Sequence, residues 1–196
     1  MTRPLFVLLL LPIAFACAER TTPAPTTPHD AFWSNLSAHC DQAFAGRLTD
    51  GNASDSVMQR STLVMHVRSC SDSTMRIPFF VGDDRSRTWV LTRTPEGLRL
   101  KHDHRHEDGS EDAVTQYGGD TRDAGTATRQ EFAADAHTAT IVPAARTNIW
   151  TMEIVPGKQF VYALRREGTD RRVRVEFDLT TPIETPPAPW GASPPQ

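Results

Sequence analysis

The residues best suited to chemistry fall in one stretch, Gly97 to Gly119, which reads GLRLKHDHRHEDGSEDAVTQYGG. From Leu98 to Glu107 it alternates strictly, and a strand sends alternate side chains to opposite faces. One face carries Leu98, Leu100, His102, His104 and His106; the other carries Arg99, Lys101, Asp103, Arg105 and Glu107, charged throughout. Charge belongs in water, so the histidine face is expected to turn inward, continuing from the two leucines. Imidazoles placed this way have three uses. They can ligate a metal, or they can orient a small molecule in a pocket that Tyr117 shares. They can also form a neutral layer hydrogen-bonded to Thr115, Tyr117 or aspartate side chains, because buried polar groups need partners.

For a metal, the spacing is demanding. Imidazoles at i, i+2 and i+4 on a strand stand roughly 7 Å apart at each step. Two neighbours can share an ion, and other residues must complete its shell. The spacing of Gly97, His104-x-His106, Glu111 and Gly118 resembles the first motif of the cupins, with one residue too many after the first glycine. That resemblance implies a metal-dependent enzyme holding iron, manganese or zinc on His104, His106 and Glu111. The second cupin motif departs further: Pro143-x-Ala145 matches, but the position of the fourth ligand falls on Asn148. The H-x-H-x-D-H pattern of metallo-β-lactamases is not met, nor is a Gly-x-Ser-x-Gly elbow or a phosphate-binding glycine loop.

The elements that must position these residues read as mostly β. One short helix is expected at the start, with Asp30 as its cap and Phe32, Trp33, Leu36 and Cys40 at helical spacing. Period-two patterns then recur at Gln42–Thr49, Leu63–Val67, Met75–Val81, Arg87–Arg93 and Leu98–Glu107. They continue at Thr138–Val142, Asn148–Ile154, Gln159–Arg165 and Arg171–Leu179, with an irregular segment before them from Gly119 to about Ala136. Short strands at this spacing indicate a barrel or sandwich, and no long helical pattern separates them, which excludes a doubly wound sheet. An antiparallel up-and-down barrel is the expected fold; its order of strands after one N-terminal helix is similar to calycin (lipocalin-like) barrels, with a cupin-like jelly roll as the alternative. The register into the central stretch stays open. A three-residue loop at Thr94-Pro95-Glu96-Gly97 puts Val90 beside His102, whereas hydrophobic matching wants Trp89 and Leu91 on the leucine–histidine face.

The ends and the cysteines bear on location. Arg3 followed by the apolar run Leu5–Ala16 and the small-residue pattern Ala14-Phe15-Ala16 reads as an export signal over residues 1–16. Ile13 to Cys17 resembles a bacterial lipobox, which implies lipid attachment at Cys17; Ala18 where an aspartate would favour the inner membrane implies an outer-membrane anchor facing the periplasm. Removing Cys17 from the three cysteines leaves Cys40 and Cys70, a pair in an oxidising compartment, and a bridge across about thirty residues is worth roughly 3–4 kcal/mol. Residues 17–29 have the Thr/Pro content of a tether, 30–180 make one domain, and 181–196 read as a flexible proline-rich tail. Losing the signal moves the formal charge from −3 to −4, which argues against nucleic acid as a partner.

The pieces FWSNLSAHC, RIPFFVGDDRSRTW, LKHDHRHEDG, YGG and NIWTMEI resemble a family of bacterial exported proteins with no assigned activity. The expectation is therefore an exported lipoprotein binding a small apolar or amphipathic ligand in its barrel, through His102, His104, His106 and Tyr117. The cupin-like metalloenzyme and an envelope protein that works through its surface are the alternatives.

Overall fold

The structure is a computed structural model and describes residues 27–192. The expected export signal and Cys17, with all but the last few residues of the linker, lie outside the described residues. The chain enters through helix α1 (Pro28–Ser37), whose N-cap is Thr27: its hydroxyl accepts from the Asp30 amide. Asp30, expected as the cap, sits instead in the first turn and pairs with Arg93. Phe32, Trp33 and Leu36 are buried, as their spacing requires.

Strands β1 (Ala43–Gly51), β2 (Leu63–His66), β3 (Ser69–Cys70), β4 (Thr74–Val81), β5 (Asp84–Thr94) and β6 (Gly97–His104) follow, with a short helix α2 (Ser56–Arg60) between the first two. The second half comprises β7 (Tyr117–Asp120), β8 (Arg129–Ala133), helix α3 (Ala136–Ile141), β9 (Asn148–Val155), β10 (Gln159–Arg166) and β11 (Arg172–Asp178). The neighbours run β7-β6-β5-β4-β2-β1-β11-β10-β9-β8, all antiparallel, with the short β3 beside β4. First and last strands pair with each other, so the seam of this nearly closed up-and-down barrel falls between β7 and β8. There Thr121 bridges Phe132, and the Asp135 amide donates to the Gly118 carbonyl at 2.9 Å. Gly119 permits that approach, because a Cβ there would lie 1.8 Å from the Ala133 oxygen of β8, while one on Gly118 would meet the Leu100 oxygen of the other neighbour, β6, at 2.0 Å. The fold is the expected all-β barrel with one N-terminal helix, and the jelly-roll alternative is not met.

The open register resolves in favour of hydrophobic matching. Thr94 pairs with Gly97 across Pro95-Glu96, which places Trp89 opposite His102 and Leu91 opposite Leu100. A one-residue slip would have exposed Trp89, and its burial outweighs the preference of the turn. Three other expectations are corrected. Thr138–Val142 is not a strand: α3 forms because Asp135 caps it, its side chain accepting from the Thr138 amide at 2.8 Å. β6 ends at His104 rather than Glu107, because the chain turns there, with the His106 amide donating to the Ser110 carbonyl at 2.9 Å. Asp103 is not in water; it is 3% exposed on the outer wall. Residues 181–192 lie back along the outside of the barrel, Ile183 bridging Ala43 and the Trp190 amide donating to the Arg85 carbonyl.

Cys40 and Cys70 form the expected disulfide, with Cα atoms 6.2 Å apart, which suits an oxidising, extracytoplasmic location. Among the described residues no helix is long and apolar enough to cross a membrane.

Candidate functional site

The inner rows of the barrel share a gradient. β6 contributes Leu98, Leu100, His102 and His104; β5 pairs Arg87, Trp89 and Leu91 against them. β9 contributes Ile154, Met152, Trp150 and Asn148, and β10 contributes Phe160, Tyr162, Leu164 and Arg166 in register. The rows are apolar toward the end that α1 covers, except for Arg93 of β5, which pairs with Asp30 of α1, and polar at the other. The polar end is a mouth bordered by Met58 of α2, Val114 of the β6–β7 loop, and Val142 and Ala145 after α3. It holds a cavity of about 320 Å³, within the range of small-molecule sites.

Aromatic faces make its walls. Phe79 stacks on Trp89 with ring centroids 4.9 Å apart, and Trp89 on Tyr162 at 4.3 Å. Across from them His102 stacks on Tyr117 at 4.3 Å, and Trp150 tilts against both rings. All of these residues border the cavity.

His102 is 2% exposed, and its partners fix its proton. Nδ1 stands 3.1 Å from the Tyr117 carbonyl, which can only accept, so Nδ1 carries the hydrogen. Nε2 is then the acceptor, and the Tyr162 hydroxyl donates to it at 2.7 Å. Burial is the main reason its pKa falls to about 3, so the ring is neutral at neutral pH. His104 lies one step nearer the mouth, with Nε2 3.1 Å from the Tyr117 hydroxyl and its amide donating to Thr115. Burial and then the Arg87 cation lower its pKa. Burial pushes Tyr117 up to about 12 and holds Tyr162 well above its ordinary value, so both phenols keep their protons. No group here is poised to exchange a proton near pH 7. This rigid set presents rings and hydroxyls and lacks an obvious acid or base.

Of the residues singled out from the sequence, His102, His104 and Tyr117 come together at this cavity. His106 does not: it is exposed in the turn beyond β6. Glu111 is also exposed, and its carboxylate accepts from Arg105 at 3.0 Å. His104, His106 and Glu111 therefore do not converge, and among the described residues no group of three or more His, Cys, Asp or Glu side chains is arranged to hold a metal ion. The two faces of β6 also differ in chemistry. Burial alone would raise the pKa of Asp103, but hydrogen bonds from Arg105 and Arg76 hold it below the usual carboxylate value.

Sequence reasoning missed Trp89, Trp150 and Tyr162 as wall residues and the arginines Arg87, Arg166 and Arg171 at the mouth. Arg87 is paired with Asp84 at 2.6 Å; Arg171 forks onto the carboxylate of the buried Asp55, at 2.8 Å from Oδ1. A larger recess of about 790 Å³ lies outside the barrel wall under residues 185–192, bordered by the disulfide, His66, Asp103 and Trp190. It has more room but only the rings of His66 and Trp190 on its border, and arginine–aspartate pairing occupies the Arg76–Asp103 side.

No protein-family model, curated protein or solved structure matches this chain. The resemblance to a family of bacterial exported proteins thus gains no support, and the likeness to calycins is one of architecture alone. Fold by itself does not carry function.

Proposed function

We propose that this chain is an exported, lipid-anchored binding protein that takes a small apolar or amphipathic molecule into the mouth of its barrel. The observation that carries the reading is the 320 Å³ cavity walled by Phe79, Trp89, Trp150, Tyr162 and the His102–Tyr117 stack. Aromatic walls supply apolar area and flat faces to stack on, and His104, of whose ring nitrogens only Nε2 has a partner among the described residues, adds hydrogen bonding. The polar rim orients what enters, as is usual for such sites. The anchor at Cys17 would hold the barrel in the envelope of the cell, where the disulfide is stable.

The test is a titration of the mature chain with N-phenyl-1-naphthylamine, a neutral apolar probe that fluoresces when it leaves water. Saturable binding at one probe per chain is expected, and Leu164→Trp, which narrows the mouth, should weaken it at least tenfold. Absence of saturable binding contradicts the reading and leaves a surface role in the envelope.

A further inference from the structure

Among the cavity's arginines, one differs from its neighbours. Asp84 neutralises Arg87 and Asp55 neutralises Arg171, each from behind the rim. Arg166 has no carboxylate partner among the described residues. Its Nε donates to Asn148 Oδ1 at 2.8 Å, and Asn148 is 4% exposed, so the guanidinium is held in one orientation by a buried acceptor. Its two Nη groups have no protein acceptor among the described residues. Twelve other arginines, including Arg47, Arg93, Arg99 and Arg129, are matched to carboxylates; of the three that border the cavity, Arg166 alone is not.

The rest of the lining points the same way. The residues bordering the cavity include three arginines and neither an aspartate nor a glutamate. A ligand cation would meet like charge at the rim and find no counter-ion; an anion would meet the two open donors of Arg166. The guanidinium fork matches a carboxylate in a bidentate fashion. The same cavity is bordered by the flat rings of Trp89, Tyr162, His102, Tyr117 and Trp150. Flat rings favour a flat guest.

We infer that the molecule taken into the barrel is a planar aromatic anion, its ring system against the aromatic lining of the cavity and its carboxylate on the Nη groups of Arg166. This rests on the proposed binding function of the cavity and names the class of its ligand.

The experiment compares 2-naphthoate with 2-naphthalenemethanol, which share a ring system and differ in charge, by calorimetric titration of the mature chain at pH 7 and low salt. The acid is expected to bind at least tenfold more tightly than the alcohol. In Arg166→Gln the ratio of the two affinities should fall to about one, and in Arg166→Lys, which keeps the charge but loses the fork, to an intermediate value. Circular dichroism of each variant checks that it is folded; should Arg166→Gln unfold, the Lys variant and the wild-type ratio still decide. Equal affinities of wild type for acid and alcohol overturn the charge assignment while leaving the binding function standing. Binding of neither compound removes both.

Discussion

The inner row of β5 has an arginine near each end, and the two are treated differently. Arg93, at the end that α1 covers, pairs with Asp30 and lies 4.7 Å over the ring of Trp33. Around it Phe32, Trp33, Leu36, Leu91 and Leu98 are all buried. At the mouth the row reaches Arg87, and the cavity there is also bordered by Arg166, whose Nη groups have no protein acceptor among the described residues. One end of the barrel satisfies its polar groups internally; at the other, these Nη groups are what the proposed binding function would use. Between them His102 marks the boundary, a polar residue buried as completely as the leucines below it.

That boundary gives the largest expected effect. The folded pKa of His102 is depressed to about 3, chiefly by burial, against about 6.5 in an unfolded chain. Above pH 6.5 the group makes no pH-dependent contribution. Below it the unfolded chain takes up a proton that the folded ring refuses, so stability falls as the pH drops from 6.5 toward 3. Each unit is worth about 1.4 kcal/mol, so denaturant unfolding at pH 4.5 should show about 3 kcal/mol less stability than at pH 7. His104, lowered in the same direction, steepens the slope. Most of this window lies above the range in which the paired aspartates titrate. A flat profile between pH 6.5 and 4.5 would place His102 in contact with water and erase the boundary.

A smaller effect sharpens the contrast between the ends. Arg93→Gln removes an ion pair and a cation–π contact, both partly screened by solvent, and is expected to cost about 1 kcal/mol. The same substitution at Arg166 loses no ion pair but takes the donor from the buried Asn148 Oδ1, and is expected to cost about 1 kcal/mol as well. By urea unfolding the loss at Arg93 should shrink in about 1 M salt and the loss at Arg166 should not; the same salt dependence at both would mean that both arginines are matched by charge.

Much of the frame is legible in the residues themselves. Asn148–Ile154, Gln159–Arg165 and Arg171–Leu179 alternate cleanly, and β9, β10 and β11 coincide with them to within a residue. One face of each is buried, so phase and burial carry the same signal. Where local chemistry competes with phase, alternation misleads. From His104 onward it continues on paper, but Asp108 accepts from the Ser110 amide and turns the chain, which carries His106 into water. At Thr138 a short run suits either period; the Asp135 cap and the bonds between Thr138 and Gly118 decide for a helix, and the second of these spans twenty residues of sequence. The arginines of the mouth were partly readable. Arg87 is in phase with Trp89 and Leu91, and Arg166 with Tyr162 and Leu164, though a charged residue in an inner row reads as a strand end. Arg171 lies in the β10–β11 connection, where no phase exists. Asp103 shows the reverse: a charge on the outer face is buried because Arg76 and Arg105 close over it, and no local pattern foretells that.

The chain's four tryptophans report on location without mutation. Trp89 and Trp150 border the cavity, Trp33 is in the covered end, and Trp190 lies outside the wall. In a two-dimensional nitrogen–proton spectrum each indole gives one resolvable signal. On titration with 2-naphthoate the account predicts that the Trp89 and Trp150 signals move together and saturate at one equivalent, with Trp33 and Trp190 unmoved. Movement confined to Trp33 or Trp190, with the cavity pair unchanged at saturation, would contradict a binding site inside the mouth of the barrel.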